Sequence, residues 1–204
     1  MKKLFLVSSF AQVGELLPKF EKNLKGKRVT FIPTASRVDM VSFCVSKGTK
    51  ALEKLGLTVD ELELSTATYD EIYKKITTND YIYLSGGNTF FLMQELIRTG
   101  ADKIIIDEVK KGKLYIGESG GAMVTAENLE YVTVMDPTKK APLLKGFAGM
   151  NLVDFSVVPH RINFPFILSA QKMIRKYSKT LKIMAISNKE AIIVWGDNVK
   201  IIKK

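Results

Sequence analysis

Ser119 stands at the centre of Gly117-Glu118-Ser119-Gly120-Gly121, between the apolar runs Leu114-Tyr115-Ile116 and Ala122-Met123-Val124. A G-x-S-x-G sequence where a strand turns sharply into a helix displays its serine at the apex as a nucleophile, and the glycines relieve the crowding of the turn. The chain contains one histidine, His160, in Val157-Val158-Pro159-His160. If an imidazole activates Ser119, it is His160. A second glycine loop, Gly86-Gly87-Asn88-Thr89, has two readings. It is a turn leading into a helix cap, or it is an oxyanion hole, in which a glycine N–H and that of Gly120 donate to the oxygen of a carbonyl attacked by Ser119.

The elements that must position these residues follow from hydrophobic periodicity. Lys3 to Val7, Val29 to Ile32, Val59 to Leu64, Tyr81 to Leu84, the Leu114 run, Tyr131 to Met135, Phe155 to Val158 and Ile183 to Ile186 read as strands. Ala191 to Trp195 and Val199 to Ile202 read as a hairpin across Gly196-Asp197-Asn198. Helical spacing marks Phe10 to Leu24 (bent at Pro18), Val41 to Leu55 (closed by Gly56), a helix capped by Thr89 and ending at Gly100, Ile104 to Lys111, and Phe166 to Tyr177. Such alternation predicts an α/β three-layer sandwich with a mostly parallel sheet, whose sites lie at the carboxyl ends of strands. Ser8-Ser9, Thr34-Ala35-Ser36, Ser85 to Thr89, Ser119 and His160 all follow strands, and so converge on one edge.

Length and composition bound the rest. The chain of 204 residues fits one domain, 1–204, and its 46% hydrophobic and 25% charged residues are those of a globular protein. The amino-terminal apolar run is too short for a signal peptide, and no other run is long enough to cross a bilayer. A single cysteine, Cys44, excludes an internal disulfide and suits a reducing cytosol; in its apolar helical stretch it reads as packing rather than as a reactive thiol. The net charge of +10 is spread along the whole chain with no nucleic-acid motif, so it reads as a solvated lysine-rich surface that also favours acidic substrates.

Gly86 to Phe90, Tyr115 to Ala122, Met135-Asp136-Pro137 and Pro159-His160 together resemble, in order and spacing, the peptidase E and cyanophycinase family of serine peptidases. The resemblance runs essentially end to end. It implies a class I glutamine amidotransferase-like (flavodoxin-like) fold, hydrolysis after aspartate in short peptides such as α-aspartyl dipeptides, and no metal or cofactor. By the same resemblance Ser119 is the nucleophile, His160 the general base, and Gly87 and Gly120 the oxyanion donors. Asn88 and Asp136 border the substrate site, and Asp136 either meets a substrate ammonium group or is an ordinary turn residue before proline. The family places an acid before the last hairpin to orient the histidine. Here that position is Asn188, with Glu190 two residues on and on the same strand face; Asp136 and Asp154 are the next candidates. The family's basic specificity residue lies in a segment that differs here, where Arg161 and Arg175 are candidates.

The expected protein is thus a cytoplasmic serine dipeptidase that takes a small peptide and neither nucleic acid nor membrane, with a homodimer as a possible assembly. Two alternatives stand beside it. An α/β-hydrolase esterase is disfavoured because that fold places its histidine last. A non-catalytic binding homologue gains weight from Asn188.

Overall fold

The computed structural model describes residues 1–38 and 42–204, without the side chains of 42–45. The strands are β1 (Lys3–Val7), β2 (Arg28–Ile32), β3 (Thr58–Glu61), β4 (Tyr81–Leu84), β5 (Leu114–Glu118), β6 (Ser156–Val158), β7 (Ile183–Ala185), β8 (Glu190–Trp195) and β9 (Asn198–Lys203). Seven form one sheet in the order β3-β2-β4-β5-β1-β8-β9. Its first five members are parallel, and the β8–β9 hairpin adds antiparallel to β1.

Side-chain alternation sorts the core into two layers. Leu4, Leu6, Ile82, Leu84 and Tyr115 face one layer, while Phe5, Val7, Tyr81, Tyr83, Leu114 and Ile116 face the other. Both β4 and β5 are buried at every position, as expected of central strands covered on both faces. The helices are α1 (Phe10–Val13), α2 (Leu17–Phe20), α3 (Ser42–Lys54), α4 (Tyr69–Thr78), α5 (Thr89–Thr99), α6 (Ala101–Lys110), α7 (Gly120–Met123) and α8 (Ile167–Tyr177). Buried residues of α4, α5, α6, α7 and α8 join the first layer; Phe10, Val13, Leu17 and Leu52 from α1, α2 and α3 join the second. No helix among the described residues is long and apolar enough to cross a membrane.

Several expectations are corrected. Glu130–Val134 forms a 3-10 helix rather than a strand. Tyr131 and Val132 are buried by tertiary packing, and the Tyr131 hydroxyl donates to Val157 O at 3.0 Å. The β6 and β7 strands pair only with each other, outside the main sheet. The stretch from Phe10 breaks at Val13 and Gly14 into short turns, and Pro18 sits in the first turn of α2, where its missing N–H costs nothing. The α4 helix was not expected, although Thr68 and Glu71 carry the spacing of a capping box: the Thr68 side chain accepts from Glu71 N–H. The burial of Cys44 lies outside the described residues.

The cap of α5 is Asn88, not Thr89. Asn88 Oδ1 accepts from Phe91 N–H at 2.9 Å, and Nδ2 donates to Pro137 O at 3.2 Å. Asn88→Ala should therefore lose both the cap and the tie to Pro137, about 1–2 kcal/mol in urea unfolding. Asn88→Asp, which keeps the accepting oxygen, should lose less; equal losses from the two variants would contradict this assignment.

Candidate active site

The β5 strand delivers Ser119 to the carboxyl edge of the sheet, and the chain reverses there with φ 50° and ψ −109°. No L-residue adopts that backbone without cost, so the neighbours must hold it. Ser119 N–H donates to Val7 O at 2.8 Å, and the first turn of α7 donates back to Ser119 O from Ala122 and Met123 N–H, each at 2.9 Å. A side chain at Gly121 would run into the Leu84 carbonyl, so glycine there is what lets α7 close onto the strand ends.

The Gly86-Gly87 loop lies against this turn. A Cβ on Gly86 would stand 3.0 Å from Ser119 Cβ, and one on Gly120 2.8 Å from Gly87 O. Gly87 has φ 136°, and a Cβ there would collide with the Ala35 carbonyl. Neither the Gly87 nor the Gly120 amide donates to an acceptor among the described residues. The loop and the start of α7 thus pack directly against the serine.

His160 follows β6 in a left-handed conformation, φ 58°, and is 9% exposed. Its Nε2 is 3.0 Å from Ser119 Oγ, and its Nδ1 is 2.8 Å from Asn188 Oδ1. An amide oxygen facing Nδ1 fixes the proton there, so Nε2 presents its lone pair to the serine hydroxyl. The Phe166 ring stacks on the imidazole at 4.7 Å. Burial pushes the imidazole pKa below its ordinary value, and the hydrogen bond to Asn188 opposes that only in part.

The other expected residues are placed as follows. Glu190 turns away from His160. Its Oε2 accepts from Ser187 N–H at 2.8 Å and lies 3.4 Å from Arg161 Nη2, while Oε1 meets Lys203. Burial would raise its pKa, but the Ser187, Lys203 and Arg161 partners outweigh that and hold the carboxyl below its usual range. Asp136 Oδ2 accepts from Thr89 N–H at 2.8 Å and Thr89 Oγ1 at 2.6 Å, at the positive end of α5. Asn88 and Asp136 thus brace the loop that carries Gly87. Arg161 flanks the histidine, partly exposed; Arg175 is exposed on α8, and Asp154 pairs with Lys182 at the surface.

Three contributors were not singled out from sequence. Asn163 Oδ1 accepts from Asn188 N–H at 2.9 Å, holding the asparagine that faces His160. Phe166 covers the imidazole. Glu118 is buried beneath the elbow, where its oxygens accept from Phe10 N–H at 2.9 Å and the Tyr83 hydroxyl at 2.7 Å. Burial raises its pKa, against both hydrogen bonds. The one sequence signal for it was a lone acid in an otherwise apolar strand.

A sequence model of peptidase family S51 matches residues 4–202. The chain belongs to peptidase family S51. Its relatives include an uncharacterized peptidase of Listeria monocytogenes, 54% identical over 199 residues that cover 98% of this chain and 97% of the relative. Peptidase E of Salmonella arizonae is 31% identical over 157 residues, 75% of this chain and 64% of its own length. The crystal structure of a Listeria monocytogenes protein provisionally assigned to peptidase E superimposes with TM-score 0.96 at 53% identity, over 100% of this chain and 99% of that one. A peptidase from an acI-B1 Actinobacterium, 23% identical, shares the fold with TM-score 0.74 over 100% of this chain and 88% of that one. The S51 fold seen here is of the class I glutamine amidotransferase type.

Because His160 is the single imidazole, its titration is directly observable by NMR. Its pKa should fall below the ordinary 6.5. A neutral form favoured by folding contributes stability that is present above 6.5 and lost as pH falls through the lower folded value. Asn188→Asp should move the midpoint upward by placing a charge on Nδ1–H. A wild-type midpoint at or above 6.5 would contradict the described environment.

Proposed function

We propose that this S51 member is a serine peptidase that works through an acyl-enzyme on Ser119. The observation that carries the reading is the continuous hydrogen-bonded train from Ser119 Oγ through both nitrogens of His160 to Asn188 Oδ1. His160 Nε2 takes the hydroxyl proton as Oγ bonds to the scissile carbonyl carbon, and the carbonyl oxygen becomes an oxyanion. The Gly87 and Gly120 amides are the donors for that oxyanion; each such donor lowers the barrier by about 3–4 kcal/mol in serine hydrolases. When the C–N bond breaks, His160 returns the proton to the leaving amine. Water then repeats the sequence on the ester and restores Ser119.

Asn188 accepts the Nδ1 proton but adds no charge to steady the imidazolium. In a trypsin-like site asparagine in place of the aspartate costs about 10⁴-fold, yet papain-like enzymes use asparagine here. The proposed enzyme is therefore slow, with room for acceleration by a carboxylate. For substrate, we propose short peptides, cleaved as dipeptides with an acidic residue, typically aspartate, on the acyl side of the scissile bond. The support is the similarity to proteins named peptidase E, the basic balance of the chain and Arg161 beside His160. One observation favours a second substrate reading. Ile162, Phe164 and Leu168 are exposed on the segment that follows His160, and they suit neutral apolar side chains.

Ser119→Ala should abolish both hydrolysis and fluorophosphonate labelling while the protein stays folded; labelling that survives the substitution would overturn the proposal. Asn188→Asp should raise the rate, and Glu190→Gln should change it little. On a panel of Asp-X, Leu-X, Ala-X and Lys-X dipeptides, the acidic series should be turned over best. Faster turnover of Leu-X would select the apolar reading.

A further inference from the structure

His160 follows β6, which pairs only with β7 and stands outside the seven-stranded sheet that carries Ser119, while Asn188 lies in the turn that joins β7 to β8 of that sheet. The nucleophile and its base therefore sit on separate frameworks, and something must set their register. Ser8, the residue after β1, is 1% exposed and lies where the frameworks meet. Its hydroxyl oxygen accepts from His160 N–H at 2.9 Å, and its proton goes to Ile186 O at 3.2 Å. Ile186 O also accepts from Arg161 N–H at 3.0 Å, so the Ser8 hydroxyl and the residue after His160 meet at one carbonyl, two residues before Asn188. One residue earlier, Val7 O accepts from Ser119 N–H at 2.8 Å. Two consecutive residues at the end of β1 thus hold the backbones of the nucleophile, the base and the approach to Asn188.

We propose that Ser8 is a positioning residue, whose hydroxyl holds His160 at hydrogen-bonding distance from Ser119. The inference rests on the proposed serine-peptidase reading of that same site. A hydroxyl suits the position because it accepts and donates at once within a small volume. Alanine removes the Ser8 oxygen that accepts from the buried His160 amide. His160 is in a left-handed conformation that its own backbone does not favour, so releasing that amide lets the residue relax and swings the ring away from Oγ. Displacement of a catalytic group by about 1 Å costs on the order of 10²-fold in rate.

The test compares wild type with Ser8→Ala, Ser8→Cys and Ser8→Thr in two readouts. The first is the rate of fluorophosphonate labelling across pH. The second is the NMR titration of the single imidazole, which needs no activity. Ala and Cys should label about 10²-fold more slowly, with KM for a dipeptide substrate little changed, and their imidazole pKa should rise toward 6.5 as the ring gains solvent. Thr, which keeps the hydroxyl, should stay within a few-fold of wild type in both. A folded Ala or Cys variant with wild-type labelling and an unmoved imidazole midpoint overturns the proposal. If wild type itself is never labelled, the peptidase reading fails. The positioning role then stands or falls on whether the titration moves.

Discussion

The site depends on a backbone that Ser119 would not adopt by itself. With φ 50° and ψ −109°, the residue occupies a region that costs a non-glycine residue of order 1–3 kcal/mol. The surrounding structure over-determines it: Val7 O receives its N–H, the start of α7 donates to its carbonyl, and Gly86 lies against its Cβ. The same reversal brings Oγ to within 3.0 Å of His160 Nε2 and starts α7 at Gly120. Relaxing it would move the hydroxyl and the helix together. The strain is sustained by the burial of β4 and β5, which fixes both strand ends against apolar layers on either side.

Around that turn, the electrostatics are arranged with little charge. His160 meets a neutral amide instead of a carboxylate, is stacked on Phe166 and is mostly removed from water. Removal from water favours the uncharged ring, the form able to accept a proton, and outweighs the hydrogen bond to Asn188, which favours the cation. The acids close by are committed to structure. Glu190 holds the Ser187 turn and two cations, Asp136 the start of α5, and Glu118 the start of α1. A base kept neutral by burial is available at lower pH than an ordinary histidine, but its cation gains less support once formed.

Much of this was legible in the sequence. The elbow, the single histidine and the parallel-sheet alternation are local patterns, and the structure brings Ser119, His160 and the Gly86-Gly87 loop to one edge. The family position pointed to Asn188, but a shared strand face kept Glu190 open as well. The structure instead puts Asn188 in the turn before β8, which begins at Glu190, so the two residues do not share a strand face. Arg161 and Lys203 draw Glu190 away, and Asn163 fixes the Asn188 backbone. Tyr131 to Val134 misled because apolar, β-branched residues look alike in a strand and in a buried 3-10 turn. The separation of β6 and β7 from the main sheet was invisible for a related reason, since strand pairing at long range leaves no mark on local periodicity.

The most direct measurement is a crystal structure of the protein with a peptide boronic acid, which forms a tetrahedral adduct with an activated serine. Boron bonded to Ser119 Oγ, with one boronate oxygen about 2.7–3.1 Å from both the Gly87 and Gly120 amide nitrogens, is the predicted result. His160 should remain between the adduct and Asn188. An inhibitor bound elsewhere, or an adduct whose oxygens face away from both glycines, would contradict the account.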